Sequence, residues 1–317
     1  MPSLKPAASF HVLLTALIVA VIPRPSAAAP PPIVPGKGSS SVTLQFERMH
    51  REPVPFEVVK GKLVFKAMVA NRPVWALLDT GMQVSLVDSL FARQNKLAVA
   101  GSMRPLVTPT GNLPMVRLDA VAVAIPGQMT FEASMAGVDL GFASRYLGRT
   151  IDLVIGEPYT SSLAFVVFGP SRRLEISPSG SLDVPAGTAF APMTPGGEVE
   201  VSVNGRTIFA KLDLGSAEDL VLTDAGWAKV GLSGAHVTEG TSAGLDGTAR
   251  PSTHTGVSEM RVGPFQAANV TVSRQLLTAK DGDAVVGLGF LSRFNFAIDQ
   301  QAGRLWLFPL APASGRP

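Results

Sequence analysis

Ala76-Leu77-Leu78-Asp79-Thr80-Gly81 decides how this chain is read. A short apolar strand delivers a carboxylate onto a tight turn that carries a hydroxyl and a glycine. A second copy stands 134 residues later, as Ala210-Lys211-Leu212-Asp213-Leu214-Gly215. Each strand ends by holding a carboxylate against backbone, and two such strands point to two carboxylates that face each other. Gly81 and Gly215 let the chain turn tightly and approach those carboxylates closely.

The duplication extends well beyond the two loops. Ala70-Asn71-Arg72-Pro73-Val74-Trp75-Ala76 aligns with Asn204-Gly205-Arg206-Thr207-Ile208-Phe209-Ala210. The helical pattern at Phe91 to Leu97 falls on Trp227 to Leu232. Val154-Ile155-Gly156 falls on Val285-Val286-Gly287, and Leu163 to Ile176 falls on Phe294 to Leu307. The offset drifts only from 134 to 131, and two copies are too few for a solenoid. They imply a pseudo-dimer, two similar lobes with a site at their seam.

Local patterns fill in the frame. Val54 to Lys60 and Lys62 to Ala70 read as strands joined at Gly61, and Asn71-Arg72-Pro73 reads as a turn before the strand Val74 to Leu78. Val84 to Val87 continues as a strand. Asp88 is placed to N-cap a helix over Ser89 to Leu97. Strands follow at Val116 to Ile125, Phe131 to Val138 and Ile151 to Gly156, with a hairpin at Leu163 to Phe168 and Leu174 to Ile176. The expected class is all-β. The expected organisation is an N-terminal lobe over 42–177, a Pro- and Gly-rich link over 178–197, a C-terminal lobe over 198–310 and a tail over 311–317.

Ahead of this stands a targeting segment. Lys5 supplies the positive start, Val12 to Ile22 an apolar stretch too short to span a bilayer comfortably, and Ser26-Ala27-Ala28-Ala29 a small-residue cleavage pattern. Residues 1–28 are expected to be a signal peptide and 29–41 a flexible Pro/Gly/Ser linker; left uncut, the first segment is a membrane anchor. Cleavage predicts an exported chain, periplasmic or secreted, with no stable membrane anchor. Of the chain's 317 residues, 46% are hydrophobic and 16% charged, ample for a core. There is no Cys, so disulfides, thiolate nucleophiles and Cys-based metal sites are excluded. Of 27 basic residues, removal of Lys5 and Arg24 leaves 25 against 24 acidic, and no basic run interleaves with aromatics, so nucleic acid is not an expected partner.

With these residues in view, the chain resembles the retropepsin-like aspartic peptidases found in retroviral and many bacterial proteins. Leu77-Leu78-Asp79-Thr80-Gly81 is similar to the active-site loop of that family. Val154-Ile155-Gly156 and Val285-Val286-Gly287 are similar to its later apolar-apolar-Gly strand. The resemblance covers about residues 42–177 and 198–310. It implies two β-barrel lobes in one chain in a pepsin-like arrangement, a monomer with pseudo-dimeric lobes, and a catalytic pair formed by Asp79 and Asp213. It also implies supporting roles for Thr80, Gly81, Gly215 and Ser216, with no metal and no cofactor. Two carboxylates so close share one proton: the ionised one activates water, and the protonated one donates to the scissile carbonyl. The resemblance further implies that the Thr80 hydroxyl bonds across the seam.

Three features depart from the family pattern. Leu214 stands where a Thr or Ser is expected, and Met82 where a small residue is expected, with bulk that would narrow the site. The two candidate flaps, Thr108 to Met115 and Gly240 to Thr253, carry no Tyr. Gly244, Gly247 and Gly256 suit a mobile flap or a plain surface loop equally. Among other candidates, His236 and His254 read as solvated loop residues, without metal-ligand spacing. Asp281, Asp283 and Asp299 read as solvated or capping residues, and Trp75, Phe209, Trp227 and Trp306 as core. Two functions follow. One is an aspartic endopeptidase acting on a peptide or protein substrate. The other is a non-catalytic periplasmic peptide-binding protein using the same groove, which Leu214 and Met82 favour.

Overall fold

A computed structural model describes residues 43–47, 52–108, 111–157, 159–243, 249–277 and 282–310. The expected signal peptide, the linker up to residue 41 and the tail from 311 lie outside the described residues, as do Asp281, Gly244 and Gly247. The protein is mostly β. Among the described residues no helix is long and apolar enough to cross a membrane.

The first half runs β1 (Thr43–Phe46), β2 (Val54–Val59), β3 (Lys62–Val69), β4 (Arg72–Leu78), β5 (Leu86–Asp88), α1 (Ser89–Gln94), β6 (Val99–Thr108), β7 (Gly111–Ile125), β8 (Met129–Val138), α2 (Gly141–Leu147) and β9 (Leu153–Ile155). After a short α3 (Tyr159–Ser162) come β10 (Leu163–Phe168), β11 (Arg173–Pro178) and β12 (Ala191–Pro192). The second half continues with β13 (Glu198–Val203), β14 (Arg206–Asp213), β15 (Leu220–Leu222), α4 (Asp224–Lys229), β16 (Thr238–Ala243), β17 (Ala249–Val262), β18 (Phe265–Arg274), β19 (Ala284–Gly287), α5 (Leu288–Leu291), β20 (Phe294–Asp299) and β21 (Arg304–Pro309).

The strand orders of the two halves are the same. The first is β3-β4-β9-β5-β8-β7-β6, closed by β3 on β7; the second is β13-β14-β19-β15-β18-β17-β16, closed by β13 on β17. Even the strand directions repeat: β4 with β9 and β14 with β19 are parallel, while β5 with β9 and β15 with β19 are antiparallel. Parallel neighbours require crossovers, so a strand from late in each half threads between two early ones. That threading places Gly156 and Gly287 beneath the two Asp loops.

The halves are joined by one sheet, β12-β21-β20-β10-β11-β2. At its centre β10 and β20 pair antiparallel, Phe165 opposite Ile298 and Val166 opposite Ala297. Phe165, Phe296 and Leu305 are fully buried there. Asp299, expected to be solvated or capping, is buried. Its carboxylate accepts from Ser179 Oγ at 2.5 Å, the Gly180 amide at 2.7 Å and the Ala302 amide at 3.0 Å, which ties the link between the halves to β20.

Other local expectations meet mixed outcomes. Asp88 does N-cap α1, accepting from the Leu90 and Phe91 amides at 2.9 Å, but the helix ends at Gln94, where Asn95 caps it. The turn before β4 sits at Ala70 and Asn71, both with positive φ, so the strand begins at Arg72. β6 has no counterpart among the sequence-read strands: its Gly, Pro and Arg residues hide any alternation, and most of it is exposed. Trp227 and Trp306 are core, Trp75 is half-buried between Lys66 and Arg149, and Phe209 is 51% exposed, contrary to expectation. Phe209 sits on the outward face of β14, where alternation points it to solvent.

Candidate active site

β4 and β14 deliver the two carboxylates to one place. The end of β4 is covered on both faces, Ala76 and Leu78 by one buried cluster and Leu77 by the other, and Asp79 follows directly at the end of the strand. The Asp79 amide donates to the Ile155 carbonyl at 3.0 Å, continuing the parallel β4–β9 ladder. Asp213 holds the corresponding place, opposite Gly287 in the β14–β19 register.

Both loops then follow the same backbone course. Met82 N donates to Asp79 O at 3.3 Å, and Ser216 N to Asp213 O at 3.1 Å. Glu157 N donates to Met82 O at 2.8 Å, and Leu288 N to Ser216 O at 2.8 Å. Beneath them only glycine fits. A Cβ on Gly156 would lie 2.7 Å from the Met82 carbonyl oxygen, and one on Gly287 would lie 2.2 Å from that of Glu218.

The loops meet at the carboxylates. A Cβ on Gly81 would stand 2.6 Å from Asp213 Cγ, and one on Gly215 would stand 2.3 Å from Asp79 Cγ. Each glycine thus faces the opposite loop's carboxyl group. Neither has positive φ, so the requirement is for space and not for left-handed backbone. The Asp79 and Asp213 carboxyl groups are thereby brought together between the two loops, and Gly215 N donates to Asp213 Oδ1 at 2.7 Å. Burial first, and then the neighbouring Asp213 charge, push the Asp79 carboxyl up to about 8; Lys62 pulls against that shift.

Thr80 does bond across the seam, and to backbone. Its hydroxyl donates to the Leu212 carbonyl at 2.9 Å and accepts from the Leu214 amide at 3.0 Å. No hydroxyl on the second loop is required for that pair of bonds. The Leu214 side chain instead points inward, fully buried in the core. Met82, expected to narrow the site, packs with Val84 against the buried cluster of Leu77, Leu86 and Val154. Ser216 turns toward its own loop, its Oγ accepting from the Glu218 amide at 3.4 Å. All six sequence-read site residues therefore lie at the seam, but Ser216 serves the loop that carries Asp213.

One residue of note went unread in the sequence and another was misread. Lys62, first residue of β3, donates from Nζ to the Gly215 carbonyl across the seam. A hairpin count from the Ala70-Asn71 turn would have set it opposite Asp79. His254 is in β17 and not in a loop. Its Nε2 lies 2.9 Å from Ser252 Oγ and its Nδ1 2.9 Å from Ser273 Oγ, which donates to Glu218 at 2.6 Å. With the Ser273 proton given to Glu218, Nδ1 carries the hydrogen of the neutral ring. His236 is in an exposed loop, as expected. Among the described residues, no three His, Cys, Asp or Glu side chains cluster as a metal site would require.

No protein-family model matches the chain, and no curated protein matches it significantly.

Proposed function

We propose that the protein is an aspartic endopeptidase of retropepsin-like type, with two such lobes in one chain and a catalytic pair, Asp79 and Asp213, at their seam. The observation that carries this reading is geometric: each loop's glycine lies against the other loop's carboxyl group, on loops that repeat each other's backbone bonds. Two carboxyl groups in contact hold one proton between them at neutral pH. Asp79, pushed up to about 8, is the favoured holder of that proton.

The chemistry follows from the shared proton. The ionised carboxylate takes a proton from a water placed between the pair, and the water oxygen bonds to the scissile carbonyl carbon. The protonated carboxyl gives its proton to the carbonyl oxygen, which yields a neutral tetrahedral gem-diol. Collapse then breaks the C–N bond. One gem-diol proton passes to the ionised carboxylate while the carboxyl that took the water proton gives it to the leaving nitrogen, so an acid and an amine leave and the pair again holds one proton. The step needs no cofactor. The substrate is an extended peptide laid across the seam, with the β6–β7 and β16–β17 hairpins as its candidate flaps. Export to the periplasm and action as a monomer belong to the same proposal.

The packing of Met82 against the Leu77, Leu86 and Val154 cluster and the Thr80 bonds to backbone support this reading over the non-catalytic binder that Met82 and Leu214 favour. The test is cleavage of a mixed peptide library between pH 3 and 9 by the purified chain, beside Asp79→Asn and Asp213→Asn. Each substitution is expected to lower cleavage by at least about 10²-fold, the range for losing a general acid or base. Wild-type cleavage is expected to fall as pH rises through about 8. A folded wild type that binds peptides but cuts none at any pH would establish the binding protein instead.

A further inference from the structure

The pair of loops is symmetric in backbone but not in what stands opposite each carboxylate. The β3–β4 register runs to Val64 opposite Leu77; two places further on, Lys62 stands opposite Asp79. The β13–β14 register ends at Glu198 opposite Lys211; two places earlier in the chain, in the turn ahead of β13, Gly196 is the counterpart of Lys62 at the repeat offset of 134. Equivalent positions are thus held by a lysine on one side and a glycine on the other. On the lysine side the turn packs tightly against the second loop. A Cβ on Gly61 would lie 2.4 Å from the Ala217 Cβ, and Lys62 Nζ donates to the Gly215 carbonyl. On the glycine side a cavity of about 50 Å³ opens, lined by Gly196, Gly197, Asp213, Lys211 and Gln300.

We propose that Lys62 is a positioning residue of the carboxylate pair: its bond to the Gly215 carbonyl fixes the second loop against Asp79, and its charge sets the pH range over which the pair keeps a single proton. The inference rests on reading Asp79 and Asp213 as a proton-sharing pair. The geometry makes the bond and the charge inseparable. Gly215 is the residue whose Cα lies against the Asp79 carboxyl group, so an ammonium anchored on its carbonyl is held beside that carboxyl. The charged groups facing Asp79 are Asp213 from β14 and Lys62 from β3, and these two act in opposite senses. Lys211 and Glu157 line the small cavity on the Asp213 side. There Lys211 donates to the Gly196 carbonyl. Among the described residues, the cation that acts on Asp79 is Lys62. A positive charge at such a place favours the ionised form, so without it the pair holds its proton to higher pH.

The test is a carboxyl-carbon NMR titration of selectively labelled aspartate in the full chain, for wild type, Lys62→Gln and Lys62→Arg. Because it reads protonation directly, it answers whether or not the protein cleaves peptides; failure of the peptidase reading would appear separately, as absence of cleavage by the wild type. Lys62→Gln is expected to raise the upper apparent pKa of the pair by about one unit, a tenfold change in proton affinity. Lys62→Arg, which keeps the charge, is expected to leave it within a few tenths of wild type. If cleavage is observed, its alkaline limb should move with the titration. An unchanged upper pKa in Lys62→Gln overturns the proposal, and so does an equal displacement in Lys62→Arg. Where Lys62→Gln does not fold, the Lys62 ammonium nitrogen signal of the wild type gives the second reading. It is expected to shift at the midpoint of the pair, and a flat signal there overturns the proposal as well.

Discussion

The loop over 79–82 and the loop over 213–216 share a backbone and differ in nearly every side chain that supports it. Both turn on the same two amide-to-carbonyl bonds, and both set a glycine against the other's carboxyl group. Yet Thr80 has Leu214 as its counterpart, Met82 has Ser216, and Lys62 has Gly196. The contrast shows where the symmetry resides. Peptide groups and missing Cβ atoms hold the carboxylates together, while the side chains are free to divide the remaining work. Thr80 alone satisfies an amide and a carbonyl of the second loop; Leu214, relieved of that task, becomes core.

The largest effect is expected where the two loops must be alike. Gly215→Ala would put a methyl group 2.3 Å from Asp79 Cγ, a distance that backbone or carboxyl must move to relieve. Cleavage is expected to fall by at least about 10²-fold, since a displacement near 1 Å in a reacting group costs about that much. Kinetics on a single cleaved peptide would measure it; retention of full activity would show that the close approach is not required. The next effect lies where the loops differ most. Leu214→Thr makes the second loop resemble the first but places a hydroxyl in a fully buried apolar site. A loss of about 2–3 kcal/mol in denaturant unfolding is expected, and a neutral result would mean that a partner for the new hydroxyl exists.

The two carboxyls provide a pH-dependent comparison. Asp79 is raised on folding, so its stabilising contribution is complete below its unfolded value near 3.8 and is lost as pH rises through about 8. Asp79→Asn escapes that loss. It is expected to match wild type near pH 4 and to exceed it by about 1–3 kcal/mol at pH 9, after allowance for solvent reaching a half-buried group. Unfolding curves at the two pH values decide the sign. The smallest effect belongs to Thr80→Val, which removes both cross-seam bonds at nearly constant volume. About 1–2 kcal/mol of stability is expected to go, with the Leu212 carbonyl and the Leu214 amide left to find other partners.

Much of this arrangement was legible in the residues. An apolar run stopped by Asp-x-Gly, repeated at an offset of 134, marks both strand ends, because strand burial and the glycine requirement are local. The N-cap at Asp88 was legible for the same reason. The identity of Thr80's partners was not, since peptide groups look alike in every sequence. His254 was misjudged because its neighbours Ser252, Ser273 and Glu218 come together only through strand register. β6 was missed because its composition masks its period.

The sequence by itself determined that the chain is built mainly of strands, that its two halves repeat, and which residues end the paired strands. Those properties depend on hydrophobic alternation and on backbone preferences, which act over a few residues. Tertiary structure alone decided that Asp79 and Asp213 are brought together, that Met82 packs against the Leu77, Leu86 and Val154 cluster, and that Lys62 reaches the Gly215 carbonyl 153 positions away. These are contacts between surfaces that exist only after both sheets have closed, and no local preference along the chain encodes the distance between them.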